Sequence, residues 1–185
     1  MDLLFQIESA ILLFLQEHVR CTVLSAILVP LTYSCEHGEI WLILSAVLLC
    51  FKPTRKAGAL ALLSMLLVWG SSELVVKVLV HRPRPFVLIE GLVPAVAPPT
   101  SFSFPSGHTC SSLAAAGTHW RVLKQNWLRW TILITALLIG FSRLYLGVHF
   151  PTDVLVGGLW GWFGSGIVVH FVSPLWDQAA PGGNR

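Results

Sequence analysis

Eight residues in three islands have the types and spacing for phosphate chemistry. Lys77 stands seven positions before Arg84 and Pro85; Ser106, Gly107 and His108 are consecutive; Arg143, His149 and Asp153 fall within one short stretch. Together they supply three cations, two imidazoles and a carboxylate beside apolar segments, where each charge costs several kcal/mol unless paired or functional. An imidazole held neutral and oriented is a competent nucleophile towards phosphorus. His149 and Asp153 are four apart at the predicted start of the last helix, so the carboxylate can hold one ring nitrogen and leave the other free. Arg143 and Arg84 offer planar forks that match phosphate oxygens, and Lys77 a compact point charge. Pro105-Ser106-Gly107-His108 precedes an apolar run. Its backbone N–H groups therefore face outward at a helix N-terminus, a ready anion site. Gly107 permits close backbone approach there, and Ser106 can cap the helix or touch the anion.

Each island alone also has a plainer reading. The second is a helix cap with an interfacial histidine; His149 and Asp153 are a structural pair or half a metal site; Lys77 snorkels from a helix end. No H-x-x-x-H spacing or acidic cluster supports the metal version. Glu73 lies one helical turn before Lys77 and is placed to pair with it. Such a pair orders the lysine and weakens its pull on phosphate, and the sequence leaves open which effect dominates.

The elements that must position these groups are lipid-like. Of the 185 residues, 55% are hydrophobic and only 11% charged, with a mean hydropathy of +0.73. Soluble domains carry about 25% charged residues, so the composition points to the bilayer. A net charge of +3, dispersed along the chain, excludes nucleic acid as a partner. The reading is an all-α, integral-membrane bundle of six transmembrane helices forming one domain over residues 1–185. Six apolar segments lie near residues 20–33, 40–51, 57–80, 109–120, 128–142 and 153–172, several of them shorter than the roughly 20 residues of a perpendicular span. Ahead of them, residues 2–17 place Asp2, Gln6 and Ser9 among leucines at helical spacing, as in a helix lying along the interface. Asp2 and Glu8 stand where a secretion signal would be positive. Cys21, Cys35, Cys50 and Cys110 lack the spacing of a disulfide framework or a zinc site and read as small packing residues.

Lys52, Arg55 and Lys56, then Arg121, Lys124 and Arg129, mark two links that share one face, which the positive-inside rule makes cytoplasmic. Arg20 and Arg185 are expected on that side too. The three islands fall on the opposite face, so the site is expected to open away from the cytoplasm. The longest link, residues 81–107, carries Pro94, Pro98 and Pro99, which argue against a continuous helix. It either covers the site or rests on headgroups.

The pattern K-x6-RP, PSGH and SR-x5-H-x3-D, running from Lys77 to Asp153, resembles the signature of the type-2 phosphatidic acid phosphatases, a superfamily that includes the vanadium haloperoxidases. Every defining position matches. The resemblance implies hydrolysis of a phosphomonoester or diphosphate in two steps, with no metal or other cofactor. His149 would form a phosphohistidine, with Asp153 orienting it; His108 would protonate the leaving oxygen and then activate water. Lys77, Arg84, Arg143, Ser106 and the Gly107 amide would hold the phosphate oxygens. Two histidines in different protonation states imply a bell-shaped pH profile belonging to the coupled site. The other histidines, His18, His37, His81, His119 and His170, read as interfacial or packing residues. The implied partners are the bilayer and a lipid phosphate at the extracytoplasmic face of a cell membrane. Likeness to small bacterial members favours undecaprenyl diphosphate over phosphatidic acid or phosphatidylglycerol phosphate. Two other classes are separable: a haloperoxidase would hold vanadate in the same pocket but is soluble, and a lipid carrier would leave two histidines and Asp153 unused.

Overall fold

The computed structural model describes residues 3–179, and every regular element among them is a helix. Asp2 and Arg185 lie outside the described residues. Helix α1 (Leu3–Phe14) runs on through a wide π-helical turn, Leu15–Val19; α2 is Thr22–Tyr33, α3 Glu39–Cys50 and α4 Arg55–Ser71. A second π-helical turn, Ser72–Val76, joins α4 to the short α5 (Lys77–Val80), and α6 (Pro85–Leu88) follows in the long link. Helices α7 (Gly107–Val122), α8 (Asn126–Tyr145) and α9 (Pro151–Ala179) complete the chain.

Helix α7 is the axis of the bundle because its side chains are small. Cys110, Ala114, Ala115 and Ala116 are buried, and α4, α8 and α9 pack around them. Helix α9 answers with glycines: a Cβ on Gly157 would meet the Ser106 carbonyl, and one on Gly161 the Cys110 carbonyl. Small residues facing small residues are the usual means of close helix approach in lipid, where dispersion replaces the hydrophobic drive. Polar groups inside the bundle are matched in the same way. The Trp41 indole N–H donates to Ser112 Oγ at 2.8 Å, and Thr118 Oγ1 to Ser64 Oγ at 2.9 Å. The outer surface is apolar, with Leu74, Leu79, Phe163 and Phe171 all exposed.

Among the described residues, three helical stretches are long and apolar enough to cross a membrane: Arg55–Leu88, Asn126–Tyr145 and Pro151–Ala179. Helices α2 and α3 are apolar but only 12 residues each, about 18 Å. These lengths bear out an all-α membrane bundle and do not by themselves confirm the expected count of six spans; the contacts of the first segment show where it lies. Near the start of α2, Cys21 N donates to the Tyr145 hydroxyl at 3.0 Å and Ser25 Oγ shares a 2.8 Å hydrogen bond with it. Near its end, Thr32 Oγ1 accepts from Arg143 at 2.5 Å. Both ends of α2 thus sit beside the last turn of α8, so the helix lies across that end of the bundle. Arg20, expected with the basic links, instead donates to the carbonyls of Val93 (2.7 Å) and Tyr145 (2.9 Å), at the end that carries the islands. Hydropathy reports how apolar a helix is and is blind to its orientation.

Helix α1 lies across the same end. Phe5 packs on Phe150, and Gln16 donates to the Gly91 carbonyl and accepts from Val93 N. Leu12 joins Ile89, Leu92 and Phe150 in one apolar cluster.

Candidate active site

Lys77 closes the π-helical turn after α4, and its ammonium donates to both Glu73 oxygens at 2.6 and 2.8 Å. A Cβ on Gly107 would stand 2.5 Å from Glu73 Oε1, so only glycine lets the carboxylate rest against the first turn of α7. Glu73 thereby occupies the space between a lysine and a helix N-terminus, where an anion is best stabilised.

After α5 the chain reverses at His81, whose positive φ of 50° is uncommon for a residue with a side chain. The reversal turns Arg84 inward. Its guanidinium donates to the Ser101 carbonyl (2.9 Å), Ser101 Oγ (3.0 Å), the Val148 carbonyl (2.9 Å) and His149 Nε2 (3.0 Å). A guanidinium has donors only, so Nε2 of His149 is the lone-pair nitrogen and the neutral ring carries its proton on Nδ1. That nitrogen faces Asp153, with Nδ1 3.6 Å from Oδ2. His149 is fully buried in the link between α8 and α9, and this burial, reinforced by the charges of Arg84 and Arg143, pushes its pKa down to about 3. The ring is neutral at ordinary pH.

Asp153 is held on all sides. Oδ2 accepts from Phe150 N at 2.8 Å and from the Ser103 hydroxyl; Oδ1 accepts from Arg82 at 2.7 Å. Pro151 opens α9, where proline's missing N–H has no cost, and fixes the start of the helix that carries Asp153. Ser106 caps α7, accepting from Thr109 N at 3.4 Å, while its own amide donates to the Asp153 carbonyl at 3.0 Å. The second and third islands are thus tied backbone to backbone.

These elements enclose a cavity of about 310 Å³ lined by Lys77, Arg84, Gly107, His108, Arg143 and His149. Six of the eight residues expected from the sequence therefore face one space. The other two stand behind it: Asp153 backs His149, and the Ser106 hydroxyl is spent in the cap, sharing a 2.9 Å hydrogen bond with Thr109 Oγ1. The long link supplies one wall through Val96, Ala97, Pro99 and Ser101, so it covers the site on that side. Thr32 and Tyr33 add lining from α2, Trp69 from α4 and Glu73 from the π-helical turn after it.

Sequence reading missed Arg82, Glu8, Thr32, Ser101 and Ser103. Arg82 did carry a signal, being the one basic residue near the islands outside their pattern. The rest are single polar residues without spacing, brought in by helices and a link remote in sequence. What results is a cationic cradle with a helix N-terminus on one side, a neutral imidazole on the other and a second imidazole, His108, beside them. Such a site can bind a tetrahedral oxyanion and attack its central atom.

The profile of the PAP2 superfamily matches residues 58–177, well over half of the chain, and the chain belongs to that superfamily. An undecaprenyl-diphosphatase from Sulfolobus acidocaldarius is 34% identical over 123 residues, which cover 66% of this chain and 58% of that protein. The fold is shared with a crystal structure of Aquifex aeolicus LpxE, with a TM-score of 0.77 at 24% identity over 92% of this chain and 97% of the other. It is also shared with a transmembrane PAP2 type phosphatidylglycerolphosphate phosphatase from Bacillus subtilis, with a TM-score of 0.72 at 27% identity, covering 95% of this chain and 89% of the other. With these relatives and its apolar helices, the chain is a membrane protein.

Proposed function

We propose that the protein is a lipid phosphatase of one domain over residues 1–185, working through a phosphohistidine. The observation that carries this is His149: a buried, neutral ring that lines the cavity with Lys77, Arg84 and Arg143 and holds its Nε2 lone pair on Arg84, a hydrogen bond that a bound phosphate must take over before Nε2 attacks. In the first step Nε2 attacks phosphorus as the bond to the lipid-side oxygen breaks, and that oxygen takes a proton from His108. In the second, His108 accepts a proton from water, which attacks the phosphohistidine and frees His149 and inorganic phosphate. Asp153 stabilises the charge that His149 gains. Lys77, Arg84, Arg143 and the Gly107 amide hold the oxygens, with Ser106 contributing by capping the helix that aims that amide. Every step uses groups of the chain, so the reaction requires no metal.

Helices α3, α8 and α9 and the stretch from α4 to α5 cross the bilayer together with α7, while α1 and α2 lie along its surface. The links holding Lys52, Arg55 and Lys56 and holding Arg121, Lys124 and Arg129 then share the cytoplasmic face, and the cavity opens on the extracytoplasmic side. A cavity of about 310 Å³ suits a phosphate or diphosphate head whose tail stays in lipid. Undecaprenyl diphosphate is the favoured substrate, supported by likeness to the Sulfolobus acidocaldarius undecaprenyl-diphosphatase; phosphatidylglycerol phosphate and phosphatidic acid follow. The test is phosphate release in detergent with excess EDTA from these three lipids. Fastest release from undecaprenyl diphosphate supports the assignment; a faster competitor reassigns the substrate, and release that stops with EDTA refutes the mechanism.

A further inference from the structure

We infer that Glu8 of α1, acting through Arg82, is a positioning residue that sets Asp153 behind His149, an inference resting on the phosphatase reading above. Glu8 is buried and is the one charged residue of α1, and an unpaired carboxylate there would be costly. Both of its oxygens are used. Oε1 accepts from Thr152 N (3.0 Å) and Thr152 Oγ1 (2.6 Å); Oε2 accepts from Arg82 Nη2 at 2.5 Å. The carboxylate therefore sits at the N-terminus of α9, where the helix dipole favours it. The other arm of the same guanidinium, Nη1, donates to Asp153 Oδ1 and to Thr152 Oγ1, both at 2.7 Å. The Arg82 fork lies 3.9 Å over the Phe150 ring, which fixes the plane from which it reaches both carboxylates. Neither Glu8 nor Arg82 lines the cavity, so neither touches phosphate.

The relay divides one cation between two carboxylates. With Glu8 holding Nη2, Arg82 reaches Asp153 through Nη1 alone, and the remaining negative charge of Asp153 is left for His149. Without the Glu8 charge, the fork is free to turn both arms to Asp153, as arginine prefers with carboxylates. Asp153 is then drawn and neutralised away from the ring it must support when His149 attacks. The loss falls on the chemical step and leaves phosphate binding alone.

The experiment measures kcat and KM for phosphate release by the purified full chain, for wild type, Glu8→Gln, Arg82→Gln and the double variant. Glu8→Gln is expected to lower kcat on the order of ten- to a hundred-fold, as losing a charged hydrogen bond does. KM stays within about two-fold, and adding Glu8→Gln to Arg82→Gln costs less than about two-fold more, the mark of two groups acting as one. Wild-type kcat in Glu8→Gln, or losses that multiply in the double variant, would overturn the relay. Should Glu8→Gln not elute as a folded species, Arg82→Lys serves instead, keeping the charge and losing the fork. A lowered kcat at constant KM supports the relay, and an unchanged kcat sinks it. A wild type inactive on every lipid would refute the phosphatase reading itself, whereas an active wild type with an indifferent Glu8→Gln refutes only the relay.

Discussion

Gly157→Ala probes how tightly the two catalytic islands are held together. A Cβ at residue 157 would stand 2.7 Å from the Ser106 carbonyl oxygen and 3.2 Å from Ser106 N, whereas ordinary contact begins at 3.4 Å. The obstacle is backbone, so α9 and the start of α7 must separate by about 3.4 − 2.7 = 0.7 Å. That strains the hydrogen bond from Ser106 N to the Asp153 carbonyl and moves Gly107 and His108 away from His149. A misplacement approaching 1 Å costs catalysis up to about a hundred-fold, and overpacking costs about 1–3 kcal/mol of stability. Gly157→Ala should therefore fold, melt lower and turn over on the order of ten- to a hundred-fold more slowly. Gly158→Ala is the internal control: its Cβ meets side chains alone, Leu113 Cδ1 at 2.9 Å, an end that can rotate away, and Thr109 Cγ2 at an ordinary 3.6 Å. Initial rates of phosphate release and melting curves in detergent read both effects. Full activity in Gly157→Ala, or equal damage in Gly158→Ala, would refute the reasoning.

Glu73→Gln removes the countercharge of Lys77 and should tighten inhibition by inorganic phosphate several-fold, read as a lower Ki; an unchanged or raised Ki would show that Glu73 serves mainly to order the lysine. Thr32→Val strips buried Arg143 of its 2.5 Å acceptor and should cost about 1.5–3 kcal/mol in kcat/KM; a value within two-fold of wild type would contradict this. The His149 pKa of about 3 lies below the ordinary value near 6.5, so the unfolded chain binds this proton first as pH falls. Stability is fully present above about pH 6.5 and is lost below it at up to about 1.4 kcal/mol per pH unit. His149→Ala should flatten that loss between pH 6.5 and 4, measured as Tm against pH, and equal slopes in the two proteins would contradict it. Gly70→Ala, with nothing within 4 Å of its Cβ, should raise stability by about 0.5–1 kcal/mol in the same melts.

The sequence carried the face of the site and concealed its back. Lys77, Arg84, Gly107, His108, Arg143 and His149 announce themselves because fixed spacing sets them among apolar residues, and all six line the cavity. The Glu73–Lys77 pair was equally legible from helical spacing. Glu8, Arg82, Thr32 and Ser103 hold these groups from behind, and their partners lie far away along the chain, so no local pattern marks them. The same limit governs the fold. Long apolar runs revealed α4, α8 and α9, whereas hydropathy read α1 as a helix along the interface and α2 as a span. The contacts of Glu8, Arg20 and Thr32 bring both helices against the end that carries the site. Ser106 offers a subtler case, since capping and anion binding ask for the same residue type at the same position, and here the hydroxyl caps.

The claim that matters most is that His149 takes the phosphoryl group. Its direct test is mass spectrometry of the protein quenched in base during turnover of lipid substrate in EDTA, a quench that preserves phosphohistidine. A phosphate adduct on His149, absent from His149→Ala, which also releases no phosphate, is the predicted result. Phosphate release by a folded His149→Ala variant at ordinary rates, or an adduct on any other residue, would contradict the account.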